Sequence, residues 1–242
     1  MKTRPFPTHN PADTDPEFTA FLTEFVTGQR LERINDVLEL RTRWLTVVLD
    51  DLYQTHNASA CLRSCESFGV QDVHIVERQN PHVIARDIDA GASRWLTLHR
   101  HRGEAASSEQ YLRQLRRSGY QIVATGFSEA AVSPTELNLD RPTAILFGNE
   151  MHGLREEVLE QADCLLQIPM TGFTRSFNVS VACALVLHSL TERLRTLDVQ
   201  WQLTDAEKQQ LRAEWIRRTI GHRLEPLRRR FDADQTASLD ED

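Results

Sequence analysis

The stretches "YQIVATGF" (120–127) and "TAILFGNE" (143–150) constrain this chain more than any other feature. Each is a short, continuous apolar run bounded by turn residues, the pattern of a strand covered on both faces. They sit in a longer alternation. "WLTVVLDDL" (44–52), "DVHIVE" (72–77), "RWLTLH" (94–99) and "CLLQIPM" (164–170) read as further strands. "THNASACLRSCESFGV" (55–70), "SSEQYLRQLRRSG" (107–119), "REEVLEQAD" (155–163) and "NVSVACALVLHSLTERLR" (178–195) read as helices. The alternation predicts an α/β fold, a mainly parallel sheet with helices on both faces. A hydrophobic content of 40% over 242 residues can supply its core. Extra helical patterns flank it, one over 17–41 broken at Gly28, the other capped by Thr204 and stopped by Gly221.

Several classes are disfavoured. No run approaches the roughly 18 apolar residues of a membrane span, and the Pro-rich start "MKTRPFPTHNPADTDPEF" lacks the apolar stretch of a secretory signal. Cys61 and Cys65 stand i, i+4 on one helix face, and Cys164 and Cys183 lie singly in apolar runs. These read as buried thiols of a reducing, cytoplasmic compartment, not as disulfides or a zinc site. His99 and His101 lack convergent ligands and are expected at the surface, so no metal is expected. The formal net charge of −7 speaks against nucleic acid until its distribution is considered. The tail from Asp232 holds five acids and no base, which leaves −2 for the remainder. Basic clusters at 94–102, 113–117 and 217–230 can form an RNA-facing patch or simply solvated helix faces.

Open α/β sheets bind ligands at the carboxyl ends of their strands. Three such ends are unusual here: "QTHN" after the first strand, "GNEMHG" with Asn149, Glu150 and His152 between two glycines, and "MTGFTRSFN" before a helix. There is no G-x-G-x-x-G and no G-K-[ST], so dinucleotide and P-loop sites are not expected. Singly the signals are modest. Gly148 and Gly153 can be turn residues, Asn178 and Asn57 can be N-caps, and Arg63 can be a solvated charge on a face shared with Ser59 and Glu66. Together they suggest a ligand cradled largely by backbone.

The segments "HNASACLRSCESFGV", "AILFGNEMHGLREEVLEQAD" and "IPMTGFTRSFNVSVACALVL" resemble, in order and spacing, the three motifs of the SpoU-type RNA ribose 2′-O-methyltransferases of the SPOUT superfamily. The flanking "RLERINDVLELR" and "LTDAEKQQLRAEW" resemble the tRNA (guanosine-18) 2′-O-methyltransferase branch, the TrmH family. Thr55 stands where the family often has proline, and Phe177 where it usually has leucine. The resemblance implies a C-terminal trefoil knot, a homodimer, S-adenosyl-L-methionine as cofactor and tRNA as partner. It divides the chain into a leader and partial helix (1–29), a methyltransferase domain (30–196), a basic helical extension (197–231) and an acidic disordered tail (232–242). It implies a cofactor pocket from Thr125, Gly148, Asn149, Glu150, Ile168, Met170, Ser176, Phe177 and Asn178. It assigns the reaction to Arg63 with Asn57, Glu150 and Asn178, and RNA contacts to Arg63, Arg217, Arg218 and Arg223. A ribose hydroxyl is a poor nucleophile, and a fixed guanidinium can stabilise its developing charge while holding a phosphate. A guanidinium pKa above about 12 makes arginine a poor base, so Arg63 is expected to orient and activate. Methylation of ribosomal RNA, or a catalytically silent RNA-binding role, are the competing expectations.

Overall fold

Side chains alternate between two interiors along every central strand. Leu45, Val47 and Leu49 join one apolar cluster with Val73, Ile75, Val123, Ile145 and Phe147, while Val48, Val76, Ile122, Ala124, Ala144 and Leu146 join a second on the opposite face. This period of two, with both sets buried, is why the strands read as continuous apolar runs. The computed structural model describes residues 15–83 and 85–239. The Pro-rich start up to residue 14 and the last three residues lie outside them.

Among the described residues the elements run α1 (Pro16–Thr23), α2 (Gly28–Glu39), β1 (Leu45–Asp50), α3 (Thr55–Ser67), β2 (Asp72–Glu77) and α4 (Arg86–Asp89). There follow β3 (Thr97–Arg102), α5 (Ser108–Arg117), β4 (Gln121–Thr125), β5 (Thr143–Phe147) and α6 (Glu156–Leu159). The chain ends with β6 (Cys164–Leu166), α7 (Val179–Leu194), α8 (Asp205–Ile220) and α9 (Leu224–Leu239). The six strands form one sheet in the order β3-β2-β1-β5-β4-β6, every pairing parallel. Helices α3 and α7 cover one face with Cys61, Leu62, Cys65, Cys183, Val186 and Leu190; α5 covers the other with Tyr111, Leu112 and Leu115. The α/β expectation with helices on both faces holds, and Cys61, Cys65 and Cys183 are buried free thiols.

The chain separates into two compact units, the sheet unit Thr42–Gln202 and a helical unit made from both ends. Helix α2 belongs with α8 in the helical unit, because its apolar stripe of Ile34 and Leu38 is buried there. A complete helix, α1, also precedes it, with Asp15 accepting from the Phe18 N–H as its cap. Helix α8 starts at Thr204 with a reciprocal capping box to Glu207 and ends at Gly221, as the sequence predicts. The segment expected as a disordered acidic tail is helical as far as Leu239. Two of its acids pair within that helix, Asp232 with Arg228 at 3.0 Å and Asp234 with Arg230 at 3.8 Å, one turn apart.

Two further expectations need correction. The strand placed at 94–99 begins only at Thr97, because Ala92–Trp95 forms a 3₁₀ turn after Gly91. His101 is buried and His99 nearly so, because both belong to β3 beside His74 of β2. His99 and His74 stack at 4.5 Å between centroids, and His74 Nδ1 lies 3.0 Å from His101 Nε2.

Candidate active site

The chain builds β1, β2 and β3 outward in one direction, then places β5 and β4 on the other side of β1. The carboxyl ends of β1 and β5 thus flank the point where strand order reverses, the place where open α/β sheets form a crevice. The turn after β1 and the loop after β5 meet there, chiefly through the Glu150 side chain. Glu150 accepts hydrogen bonds from the Tyr53 N–H (2.8 Å), the Gln54 N–H (3.1 Å) and the Asn57 side-chain amide (2.8 Å). Burial pushes its pKa up, but the Asn57 amide and the Tyr53 and Gln54 N–H groups outweigh it and hold the carboxyl below its ordinary value. Glu150 is therefore an anchoring carboxylate.

The loop that carries Glu150 depends on two glycines. Residues 149 and 153 bridge each other as a tight antiparallel pair, N–H to carbonyl at 3.1 and 2.7 Å. A Cβ on Gly148 would lie 2.3 Å from the Gly153 backbone, so no side chain fits, and Gly153 has φ 68°. Asn149 closes the loop further by donating to the Asp51 carbonyl (2.9 Å) and accepting from the Met151 N–H (2.9 Å).

Asn57 carries the connection to the third loop. It does not cap α3, as the sequence suggests: the N-cap position is Gln54, and Asn57 lies in the first turn, buried. Its Oδ1 accepts from Asn178 Nδ2 at 3.1 Å, while its Nδ2 also donates to Gln54 Oε1 at 3.0 Å. Asn178 does cap α7, accepting from the Ser180 N–H (2.9 Å) and hydroxyl (2.6 Å). One amide thus both caps α7 and reaches Asn57 of α3. The chain Ser180–Asn178–Asn57–Glu150 ties α7, α3 and the loop after β5 together.

Arg63 stands apart from this web. The exposed stripe of α3 is His56, Arg63 and Ser67; Ser59, expected beside Arg63, is fully buried because its hydroxyl accepts from the Ala85 N–H at 2.9 Å. The Arg63 guanidinium makes no hydrogen bond or ion pair among the described residues. Val181 and Leu185 of the neighbouring α7, and Phe177 just before its cap, are likewise exposed.

The remaining expected cofactor residues line the ends of β4 and β6. Thr125 is half-buried and donates to the Leu146 carbonyl at 2.8 Å, Ile168 leans on the core, and Met170 is half-buried. Ser176 and Phe177 are exposed and take no part in the amide web. From Ile168 to Phe177 no hydrogen bond links the segment to the rest of the described chain. Tyr53 and Gln54 escape sequence reasoning, since a backbone donor leaves no side-chain signature. Ser180 could have been found, because a polar residue two positions after an N-cap asparagine often completes the cap. Among the described residues no group of His, Cys, Asp or Glu can hold a metal, and no helix is long and apolar enough to cross a membrane.

The SpoU rRNA Methylase family matches residues 44–188, which include the whole web from Tyr53 to Ser180. The chain belongs to this family. A tRNA (guanosine(18)-2′-O)-methyltransferase of Borreliella burgdorferi is 40% identical over 199 residues, 82% of this chain and 89% of that protein. The A. aeolicus TrmH/SpoU tRNA modifying enzyme superposes with a TM-score of 0.70 at 30% identity, over 79% of this chain and 97% of that one. An AdoMet-bound rRNA methyltransferase from Sinorhizobium meliloti shares the fold, with a TM-score of 0.56 at 22% identity over 68% and 61% of the two chains.

Proposed function

We propose that the chain transfers a methyl group from S-adenosyl-L-methionine to the ribose 2′-hydroxyl of guanosine 18 in tRNA. The carrying observation is the Asn178–Asn57–Glu150 web, which ties the start of α7 and the loop after β5 to α3, the helix that carries an arginine whose guanidinium is uncommitted. The 40% identity across most of a tRNA (guanosine(18)-2′-O)-methyltransferase favours tRNA over ribosomal RNA.

The residues present suit the cofactor. Residues 168–177 offer unpaired backbone donors and acceptors beside the half-buried Ile168, Met170 and Thr125, as a nucleoside and an amino-acid group would require. Gly148, Asn149, Ser176, Phe177 and Asn178 complete that cradle. When bound, S-adenosylmethionine supplies an electrophilic sulfonium methyl group. Arg63 holds the phosphate beside the target ribose and stabilises negative charge developing on its 2′-oxygen, while remaining protonated itself. Asn57, Glu150 and Asn178 position α3 and the loops, and much of the rate comes from that placement. Arg217 and Arg223 extend the RNA contact in the helical unit, neither having an ion-pair partner among the described residues; Arg218 pairs with Glu214 and contributes less.

The finer features of the fold belong to the same reading. β6 is bonded to β4 on one side; on the other, the Val132 N–H donates to the Leu165 carbonyl and the Gln167 N–H to the Val132 carbonyl, both at 2.9 Å. The connection 126–142 therefore runs outside β6, which supports threading of β6 through that connection as a trefoil knot. Arg193 of α7 grips the same connection at the Pro134 and Leu137 carbonyls (2.6 and 2.8 Å). The exposed stripe Phe177, Val181 and Leu185 suits a second copy, giving a homodimer with Arg63 near its edge.

Arg63→Ala tests the assignment. It is expected to bind S-adenosylmethionine as the parent does while losing methyl transfer by about 10²- to 10³-fold. Loss of cofactor binding with turnover retained would contradict the role.

A further inference from the structure

We propose that Asp51 is a positioning residue for this site, a role that rests on the assignment of Arg63, Asn57 and Glu150 above. Asp51 has φ 54°, in the left-handed region that costs an ordinary side chain energy and that Asp and Asn tolerate better than most. It falls where β1 ends and the chain must turn toward α3.

Its side chain and its carbonyl hold three strand ends together. One carboxylate oxygen, Oδ1, accepts from three consecutive backbone N–H groups, Arg78 (3.0 Å), Gln79 (2.9 Å) and Asn80 (3.0 Å), just past β2. The Asp51 carbonyl accepts from the Asn80 side chain (3.2 Å) and from Asn149 (2.9 Å), the neighbour of Glu150 in the loop after β5. The Asp51 N–H donates to the Val76 carbonyl at 2.9 Å, as the last rung between β1 and β2.

The left-handed turn has a direct consequence two residues later. It directs the Tyr53 and Gln54 N–H groups onto Glu150, which in turn receives Asn57 in the first turn of α3. An extended residue at position 51 would send those two donors elsewhere and release the start of α3. Asp51 itself touches no reacting group. It acts through Glu150 and Asn57, and so sets where the helix carrying Arg63 stands relative to the loops after β5 and β6.

Three substitutions separate the parts of this role. Asp51→Asn keeps both the left-handed tolerance and an oxygen acceptor. Asp51→Gly keeps the backbone conformation but loses the acceptor, and Asp51→Ala loses both. With tRNA and S-adenosylmethionine, kcat is expected to stay close to the parent for Asp51→Asn and to fall for Asp51→Gly. It should fall furthest, by about 10- to 100-fold, for Asp51→Ala, with KM for tRNA little changed because the phosphate contacts are elsewhere. Amide exchange at residues 78–80 should be slow in the parent and in Asp51→Asn and fast in Asp51→Gly. Equal impairment of the Asn and Ala variants would overturn the proposal, as would parental kcat in Asp51→Gly or an effect confined to KM. If Asp51→Ala does not fold, the Gly and Asn pair decides the matter alone. A parent protein with no methyl transfer to tRNA would instead refute the assigned reaction, and the exchange data would then judge the clamp by itself.

Discussion

At the scale of single residues, Asn57 and Arg63 are opposites on one helix. Asn57 commits both ends of its amide, as donor to Glu150 and Gln54 and as acceptor from Asn178; Arg63 commits nothing. The amide end facing Glu150 is the donor, so Asn57→Asp is nearly isosteric yet places a second carboxylate where a donor stood. One of the two acids must then take a proton. The expected result is a folded variant destabilised by about 1.5–3 kcal/mol, the worth of a hydrogen bond to a charged group. Because protonation relieves the repulsion, its activity relative to the parent should rise as pH falls. Urea unfolding and a pH–rate profile measure both, and a flat activity ratio across pH would contradict the inferred amide orientation.

At the scale of elements, the paired strands β2 and β3 carry a pH dependence. Burial, together with the neighbouring His99, drives the His101 pKa down to about 4, and burial drives His74 well below its ordinary 6.5. Tyr111, Asp72 and Arg43 complete the surroundings. In the unfolded chain both rings take up protons near 6.5, so stability is full above that pH and is lost as pH falls toward about 4. Thermal unfolding at stepped pH should show this slope in the parent, and replacing His74 and His101 together by glutamine should flatten it between about 6.5 and 4. An unchanged slope would mean that other groups carry it. These elements also mark the limits of sequence reading. The strands β1, β2, β4 and β5 and the cap at Thr204 are legible, because burial on both faces and capping chemistry are local in sequence. The status of His99 and His101 is not, since β3 has a polar sequence and its partner β2 lies more than 20 residues away. Asn57 misleads for the same reason. A residue near a helix start looks like a cap, and its actual partner, Glu150, is 93 positions distant.

At the scale of the whole molecule, the charge distribution is more economical than the sequence suggests. Part of the basic stretch 217–230 is neutralised internally: Arg218 by Glu214, Arg228 by Asp15 and Asp232, and Arg230 by Asp234. Asp232 and Asp234 therefore belong to α9, and the guanidinium groups without a hydrogen-bond or ion-pair partner among the described residues include Arg33, Arg217, Arg223 and Arg229 in the helical unit and Arg63, Arg117 and Arg175 in the sheet unit. Such free cations on a net-acidic chain fit a substrate recognised at selected phosphates rather than by a broad basic surface. The central claim is a methyl group placed on one ribose of tRNA, and one measurement addresses it directly. Unmodified tRNA and total ribosomal RNA are each incubated with the protein and methyl-labelled S-adenosylmethionine, and the labelled nucleotide is mapped. The account predicts a single 2′-O-methylguanosine at position 18 of tRNA, absent with Arg63→Ala. Label confined to ribosomal RNA, or lodged on a base instead of a ribose, would contradict it.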